Sequence, residues 1–145
     1  MSRVITIDPG ISKCGVIIAD IKEKKVYEAV VIKSHLLLQY VKKKYQSGKN
    51  VQLLIGNGTS SKNYIKYLNQ FEPDLIIAEE KNSTYRAKQR YFEIFPLLGI
   101  KGFLPREIFI LNKNLDALAA LIIMEDYFKI KFDVSEKLKT KTWLK

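Results

Sequence analysis

Residues 1–20, MSRVITIDPGISKCGVIIAD, decide how the rest of the chain is read. Val4, Ile5 and Ile7 form an apolar run that delivers Asp8 to the C-terminal end of a strand. Pro9-Gly10 stops that strand, since proline donates nothing to a ladder and glycine favours a turn. Gly15-Val16-Ile17-Ile18-Ala19 reads as the partner strand, which makes residues 10–14 a short hairpin connection with Ser12 and Lys13 at its tip. Asp8 therefore stands at a sheet edge, beside glycines that let another backbone or a phosphate approach closely. A carboxylate there suits a metal ligand or a phosphate contact. Asp-Pro-Gly also serves to stabilise an ordinary turn, and these twenty residues leave both readings open.

Outward from this hairpin, Lys25 to Lys33 is rich in β-branched and aromatic residues and reads as a third strand, closing an antiparallel meander. Ser34 is placed to cap a helix that stops near Gly48, with His35 in its first turn as surface or helix-end chemistry. Val51 to Ile55 is a buried strand ended by Gly56-Asn57-Gly58, and Thr59 or Ser60 can cap a helix through Phe71. A strand, a glycine turn and a helix N-terminus in succession point backbone N–H groups beyond the sheet, a suitable place for a phosphate.

Pro73-Asp74 introduces a fifth strand, Leu75 to Ala78, that runs into Glu79-Glu80. Adjacent residues on a strand face opposite sides, so at most one of these acids shares a pocket with Asp8. Asn82-Ser83-Thr84 supplies caps for a basic helix in which Arg86 and Arg90 lie one turn apart, with Lys88 between them and Tyr85 nearby, a pattern that reads equally as a phosphate-gripping face or as a solvated helix face. Lys13 in the hairpin and Lys62 after the glycine turn complete the candidate nucleic-acid contacts. Leu97 to Arg106 reads as irregular and Ile108-Phe109-Ile110-Leu111 as a short added strand. Asn112 or Asn114 then caps an apolar helix from Leu115 to about Lys129, with Asp116 in its first turn and Ala117, Ala119 and Ala120 packing against the sheet.

The whole is 145 residues, the size of one domain, here set at 1–130 with a basic tail or flap over 131–145. A single cysteine, Cys14, excludes an internal disulfide and a multi-cysteine zinc site. With no signal-like leader and no apolar run near the ~20 residues of a membrane span, a cytoplasmic protein is expected. The net charge of +10 makes nucleic acid the first partner to consider.

The order βββαβαβα, with acids ending the first and fifth strands and opening the last helix, resembles the RNase H-like α/β fold, a five-stranded mixed sheet flanked by helices. More specifically, the chain is similar to the YqgF/RuvX branch of the RuvC-type resolvase superfamily over residues 3 to 128. Ile7-Asp8-Pro9-Gly10 with Gly15 matches its first motif, Glu79-Glu80-Lys81-Asn82-Ser83-Thr84 its Asp-Glu-Arg-x-Thr-Thr segment, and Asp116-Ala117-Leu118-Ala119-Ala120 its last. Gly56-Asn57-Gly58-Thr59 resembles instead the turn of the YqgF-like domain in Tex-type transcription accessory proteins. Lys81 stands where the family has arginine, and Ala119 where RuvC-type enzymes carry a further acid.

The resemblance implies a nuclease in which Asp8, Glu80 and Asp116 bind Mg²⁺ or Mn²⁺ and hydrolyse phosphodiesters of structured nucleic acid. The substrate is then a ribosomal RNA precursor, as in ribosome biogenesis, or branched DNA of the Holliday-junction type. It also favours Glu80 over Glu79 as the ligand. With sheet order 3-2-1-4-5, however, Glu80 starts ~10 Å from Asp8, two strands at ~4.8 Å each. Either Gly56 and Gly58 leave room for Glu80 to lean across, or Asp8 and Asp116 form the site alone. Two alternatives are a non-catalytic nucleic-acid-binding domain of the same fold and half of an actin-like ATPase, the latter needing far more chain.

Overall fold

In the computed structural model the chain runs β1 (Arg3–Asp8), β2 (Lys13–Asp20), β3 (Lys25–Lys33), α1 (Ser34–Gln46), β4 (Val51–Gly56), α2 (Ser61–Phe71), β5 (Ile76–Ala78) and α3 (Pro105–Phe128). The structure describes residues 3–46, 50–58, 60–80, 85, 86, 89, 90, 93 and 105–134, with backbone only at 71 and 105–115. The strands form one mixed sheet of order β3-β2-β1-β4-β5. Short hairpins leave β1, β2 and β3 antiparallel. The longer crossovers through α1 and α2 let β4 run parallel to β1, and β5 parallel to β4.

Alternation along β1 divides the core in two. Val4 turns toward α3, joining Ile17, Ala19, Leu54, Ala78, Leu118 and the apolar residues 120–124. Ile5 and Ile7 turn the other way, onto Leu37 and Val41 of α1 and Leu68 of α2. The sheet is thus covered on both faces, which is why its central strands read as continuous apolar runs rather than alternating ones. Asp8 has the parity of Val4 and so belongs to the α3 face.

Two expectations are corrected. Residues 108–111 are not a strand: α3 is a single helix of 24 residues that begins at Pro105 and contains them, so neither Asn112 nor Asn114 caps it. A four-residue apolar run has no decisive period, whereas proline at the first helical position costs no hydrogen bond. The helix ends before Lys129, whose φ of 58° is the left-handed turn that closes many helices.

The second correction concerns the tail, whose first residues are part of the domain. Phe132 is buried beneath α3, and Asp133 bridges to β3, its N–H donating to Lys24 O at 2.7 Å while Val26 N–H donates to Asp133 O at 2.9 Å. The expected caps at Asn82, Ser83, Thr84 and Thr59 lie outside the described residues, as do 135–145. Ser60 makes no side-chain cap at α2; Ser61 instead donates its Oγ–H to Gly58 O at 2.6 Å.

Candidate metal and nucleic-acid site

Three backbone segments bring acids to the α3 face at the C-terminal end of β1. Asp8 ends β1 itself. In the strand leading to Glu80, Ile76 and Ala78 pack against the α3 core while Ile77 is exposed. Continuing that alternation turns Glu80 inward and leaves Glu79 exposed. Asp116 comes from α3, and its approach depends on Gly15, the cross-strand partner of Asp8. A Cβ at Gly15 would sit 1.8 Å from Asp116 O and 2.8 Å from Ala117 N. Only glycine there lets the helix lie flat on β2 beside Asp8.

Glu80 does cross β4. A Cβ at Gly56 would lie 1.9 Å from Glu80 Oε1, and one at Gly58 2.3 Å from Glu80 Oε2. The space above this turn, which the sequence offered to a phosphate, holds the Glu80 carboxylate. Asn57 fixes the start of that side chain: its N–H donates to Ala78 O at 2.9 Å, and its Oδ1 accepts from Glu80 N–H at 3.1 Å. Asn57 was not singled out by the sequence, where it read as turn chemistry.

The electrostatics follow from this convergence. Burial, the hydrogen-bonding contact with Glu80 and the charges of Glu80 and Asp116 together push Asp8 up to about 8. In such surroundings Asp8 keeps its proton to higher pH unless a cation stands in for it. Glu80 Oε1 is buried with no hydrogen-bond partner, a polar atom that a cation would satisfy. Asp116 is raised by burial, against the opposing pull of Lys13, whose Nζ lies 3.9 Å from Asp116 Oδ2. The donors are all hard oxygens, which fit Mg²⁺ or Mn²⁺ and not a thiolate-seeking ion. No three His, Cys, Asp or Glu among the described residues form a ready metal cage as they stand. Asp8 and Glu80 are in contact and Asp116 stands beside Lys13.

The basic candidates separate. Lys13 is at the site, and register adds a residue the sequence reading missed: Lys33 is its direct cross-strand partner, exposed on the same face. Only pairing information could have found it. Lys62 is exposed in the first turn of α2, which follows the glycine turn. Arg86 and Arg90 do not form a free phosphate-gripping face, because both are turned onto α3. Arg86 donates both Nη groups to Asp126. Arg90 donates Nε to Glu125 Oε1 at 3.2 Å and Nη2 to Phe132 O at 2.8 Å, while Glu125 Oε2 accepts from Phe132 N–H at 2.8 Å. They line a cleft of about 460 Å³ with Glu93, Glu125, Asp126 and Lys131, a mixed-sign wall that gives an anion little to hold. Lys88 lies outside the described residues.

No protein-family model matches the chain, and a search of curated proteins returns no match. Among the described residues no helix is long and apolar enough to cross a membrane.

Proposed function

We propose that this protein is a divalent-metal-dependent nuclease with an RNase H-like fold of the YqgF/RuvC type. The observation that carries the reading is that Glu80, just past β5, lays its carboxylate over Gly56 and Gly58 at the end of β4, toward Asp8, whose carboxyl it helps to raise. Bringing like charges together in a buried place costs stability, and a fold keeps such an arrangement where a cation is to be held. Asp8 and Glu80, with Asp116, would hold Mg²⁺ or Mn²⁺, which when bound supplies an activated water and charge stabilisation at the phosphate. Gly15 and Asn57 position two of these acids, and Lys13 and Lys33 attract the phosphate backbone. The substrate class is structured nucleic acid, either a ribosomal RNA precursor or branched DNA.

A non-catalytic nucleic-acid-binding role is the second reading, favoured by the lack of a ready three-ligand cage among the described residues. The two part on one experiment: Mn²⁺ titration by calorimetry, and cleavage of a labelled stem-loop RNA and a four-way DNA junction, for wild type, Asp8→Asn, Glu80→Gln and Glu79→Gln. The nuclease reading expects Asp8→Asn and Glu80→Gln to lose metal binding and cleavage together, with Glu79→Gln much less affected. Binding of either probe without cleavage in Mg²⁺ or Mn²⁺ selects the second reading.

A further inference from the structure

The tip of the β1–β2 hairpin carries Ile11, whose side chain is 89% exposed. A single exposed isoleucine is unremarkable on a free surface, but the turn beneath this one is clamped. Gly10 O accepts from Tyr64 OH at 2.9 Å and lies 3.2 Å from Ser34 Oγ, whose one proton it shares with Ile11 O. Ile11 O accepts from Ser34 Oγ at 2.8 Å, and Ser12 O from Ser34 N–H at 3.0 Å. A Cβ at Gly10 would meet Lys13 O at 2.1 Å, so the turn is also closed on itself. Residues from α1 and α2 thus fix the backbone that presents an apolar side chain to solvent.

Its neighbours bear the charges of a polyanion site. Ile11 is three residues from Asp8 and two from Lys13, a reach of no more than ~10 Å. Lys13 and Lys33 stand directly opposite one another across β2 and β3. Like charges in that relation are destabilising; Asp116 Oδ2, 3.9 Å from Lys13 Nζ, offsets part of this, and an anion lying across both lysines offsets more. An acidic metal-type site, a lysine pair and a rigidly held aliphatic group at one edge match the three parts of a nucleotide step: scissile phosphate, flanking phosphates and base.

We propose that Ile11 is an apolar wedge that packs on the face of a nucleobase next to the phosphodiester presented to Asp8, Glu80 and Asp116, with Lys13 and Lys33 on flanking phosphates. The inference rests on the nuclease reading above. Aliphatic side chains inserted at a base step unstack it, and a pre-set turn lowers the entropy lost on binding. Unstacking costs least where bases are already unpaired, so the wedge selects branched or distorted nucleic acid over regular duplex.

The test uses the full chain with Ca²⁺ in place of Mg²⁺, a four-way DNA junction and a stem-loop RNA, each carrying fluorescein for anisotropy and 2-aminopurine beside the branch. Binding is followed across a salt series for wild type, Ile11→Ser, Ile11→Gln, Ile11→Leu and Lys13→Ala. Ile11→Ser and Ile11→Gln should weaken binding about tenfold, the effect of losing one buried aliphatic side chain. Both should lose the 2-aminopurine rise, with the salt slope and melting temperature unchanged, and Ile11→Leu should keep it. Lys13→Ala should instead reduce the log–log salt slope by ~0.7–0.9. Wild-type affinity and 2-aminopurine signal in both polar variants would overturn the wedge and leave the nuclease reading standing. If wild type binds neither probe, the nucleic-acid reading falls and the wedge falls with it.

Discussion

The Glu80 carboxylate occupies the place where Gly56 would carry a side chain, its Oε1 1.9 Å from the position of a Cβ there. This is how an acid just past the end of β5 comes to face an acid from β1 with a whole strand between them. The atoms in the way are the far end of a flexible side chain and not backbone, so Glu80 can swing aside without unfolding anything. Gly56→Ala should therefore be a functional lesion more than a structural one. Even disturbing the partners of a metal ligand typically lowers affinity ~10–100-fold, and here the proposed ligand itself is displaced, so Mn²⁺ calorimetry on Gly56→Ala should read a loss at least of that size with a near-normal melting temperature. Undiminished Mn²⁺ affinity would show that Glu80 takes no part in holding the ion.

At Gly15 the same substitution meets backbone. The Cβ would sit 1.8 Å from Asp116 O, so α3 itself must move away from β2. Overpacking of this kind costs roughly 1–3 kcal/mol, and Gly15→Ala should lose both thermal stability and metal affinity. Chemical denaturation beside the Mn²⁺ titration separates it from Gly56→Ala, in which only the second changes. Equal stability of Gly15→Ala and wild type would contradict the close packing of the Asp116-Ala117 turn on β2.

The pH dependence of the metal-free protein follows from Asp8. Its carboxyl is pushed from an ordinary 3.8 up to about 8, so between those values the folded chain retains a proton that the unfolded chain has released. The unfolded state binds fewer protons there, and stability must fall as pH rises through that window and level off above it. Asp116 is raised and acts in the same sense. Glu28, lowered because hydrogen bonds from Lys44 and Tyr40 outweigh its burial, acts oppositely but only below its ordinary 4.5. Asp8→Asn should therefore be the more stable protein at pH 8 without metal, by on the order of 1–3 kcal/mol at ~1.4 kcal/mol per tenfold change in proton affinity. The gap should close toward pH 4, and Mn²⁺ should close it at pH 8 by stabilising wild type alone. Melting temperatures of the two proteins that run parallel from pH 5 to 8 would remove the buried carboxyl pair.

The two arginines should behave differently from each other. Arg90 and Glu125 are 11% and 10% exposed, and their pair joins the segment after Glu80 to α3 and to Phe132. Breaking a buried pair of this kind costs ~3–5 kcal/mol by stranding the partner's charge, so Arg90→Met should be strongly destabilised. Adding Glu125→Leu should return part of the loss. Arg86 and Asp126 are 40% and 35% exposed, and Arg86→Met should cost no more than ~1 kcal/mol. A salt slope of nucleic-acid binding unchanged in Arg86→Met fits an intramolecular pair, and a slope lowered by ~0.7–0.9 would restore Arg86 as a phosphate contact.

Much of this architecture was written in local pattern. The strand runs at Val4, Val16, Val26, Val51 and Ile76, the short turn between Asp8 and Lys13, and the long crossovers after Lys33 and Gly56 fix element type and the antiparallel or parallel sense of each pairing, because alternation and connection length act within a few residues. Parity also says that only one of Glu79 and Glu80 can share a face with Asp8, and the packing of Ile76 and Ala78 against α3 shows that it is Glu80. Local pattern failed at residues 108–111, where four apolar residues are too few to separate a strand from a turn of helix, and at 131–134, where charge suggested a tail although Phe132 is buried. What only the tertiary structure decided is who meets whom. Whether Glu80 spans β4 depends on the emptiness above Gly56 and Gly58. Whether Asp116 arrives beside Asp8 depends on α3 lying against Gly15. Arg86 and Arg90 look like free cations in one dimension and are spent on Asp126 and Glu125 in three, while Lys33 joins Lys13 only through strand register. Each of these is a contact between residues far apart in the chain, and a one-dimensional pattern carries the capacity for such a contact but not the distance that completes it.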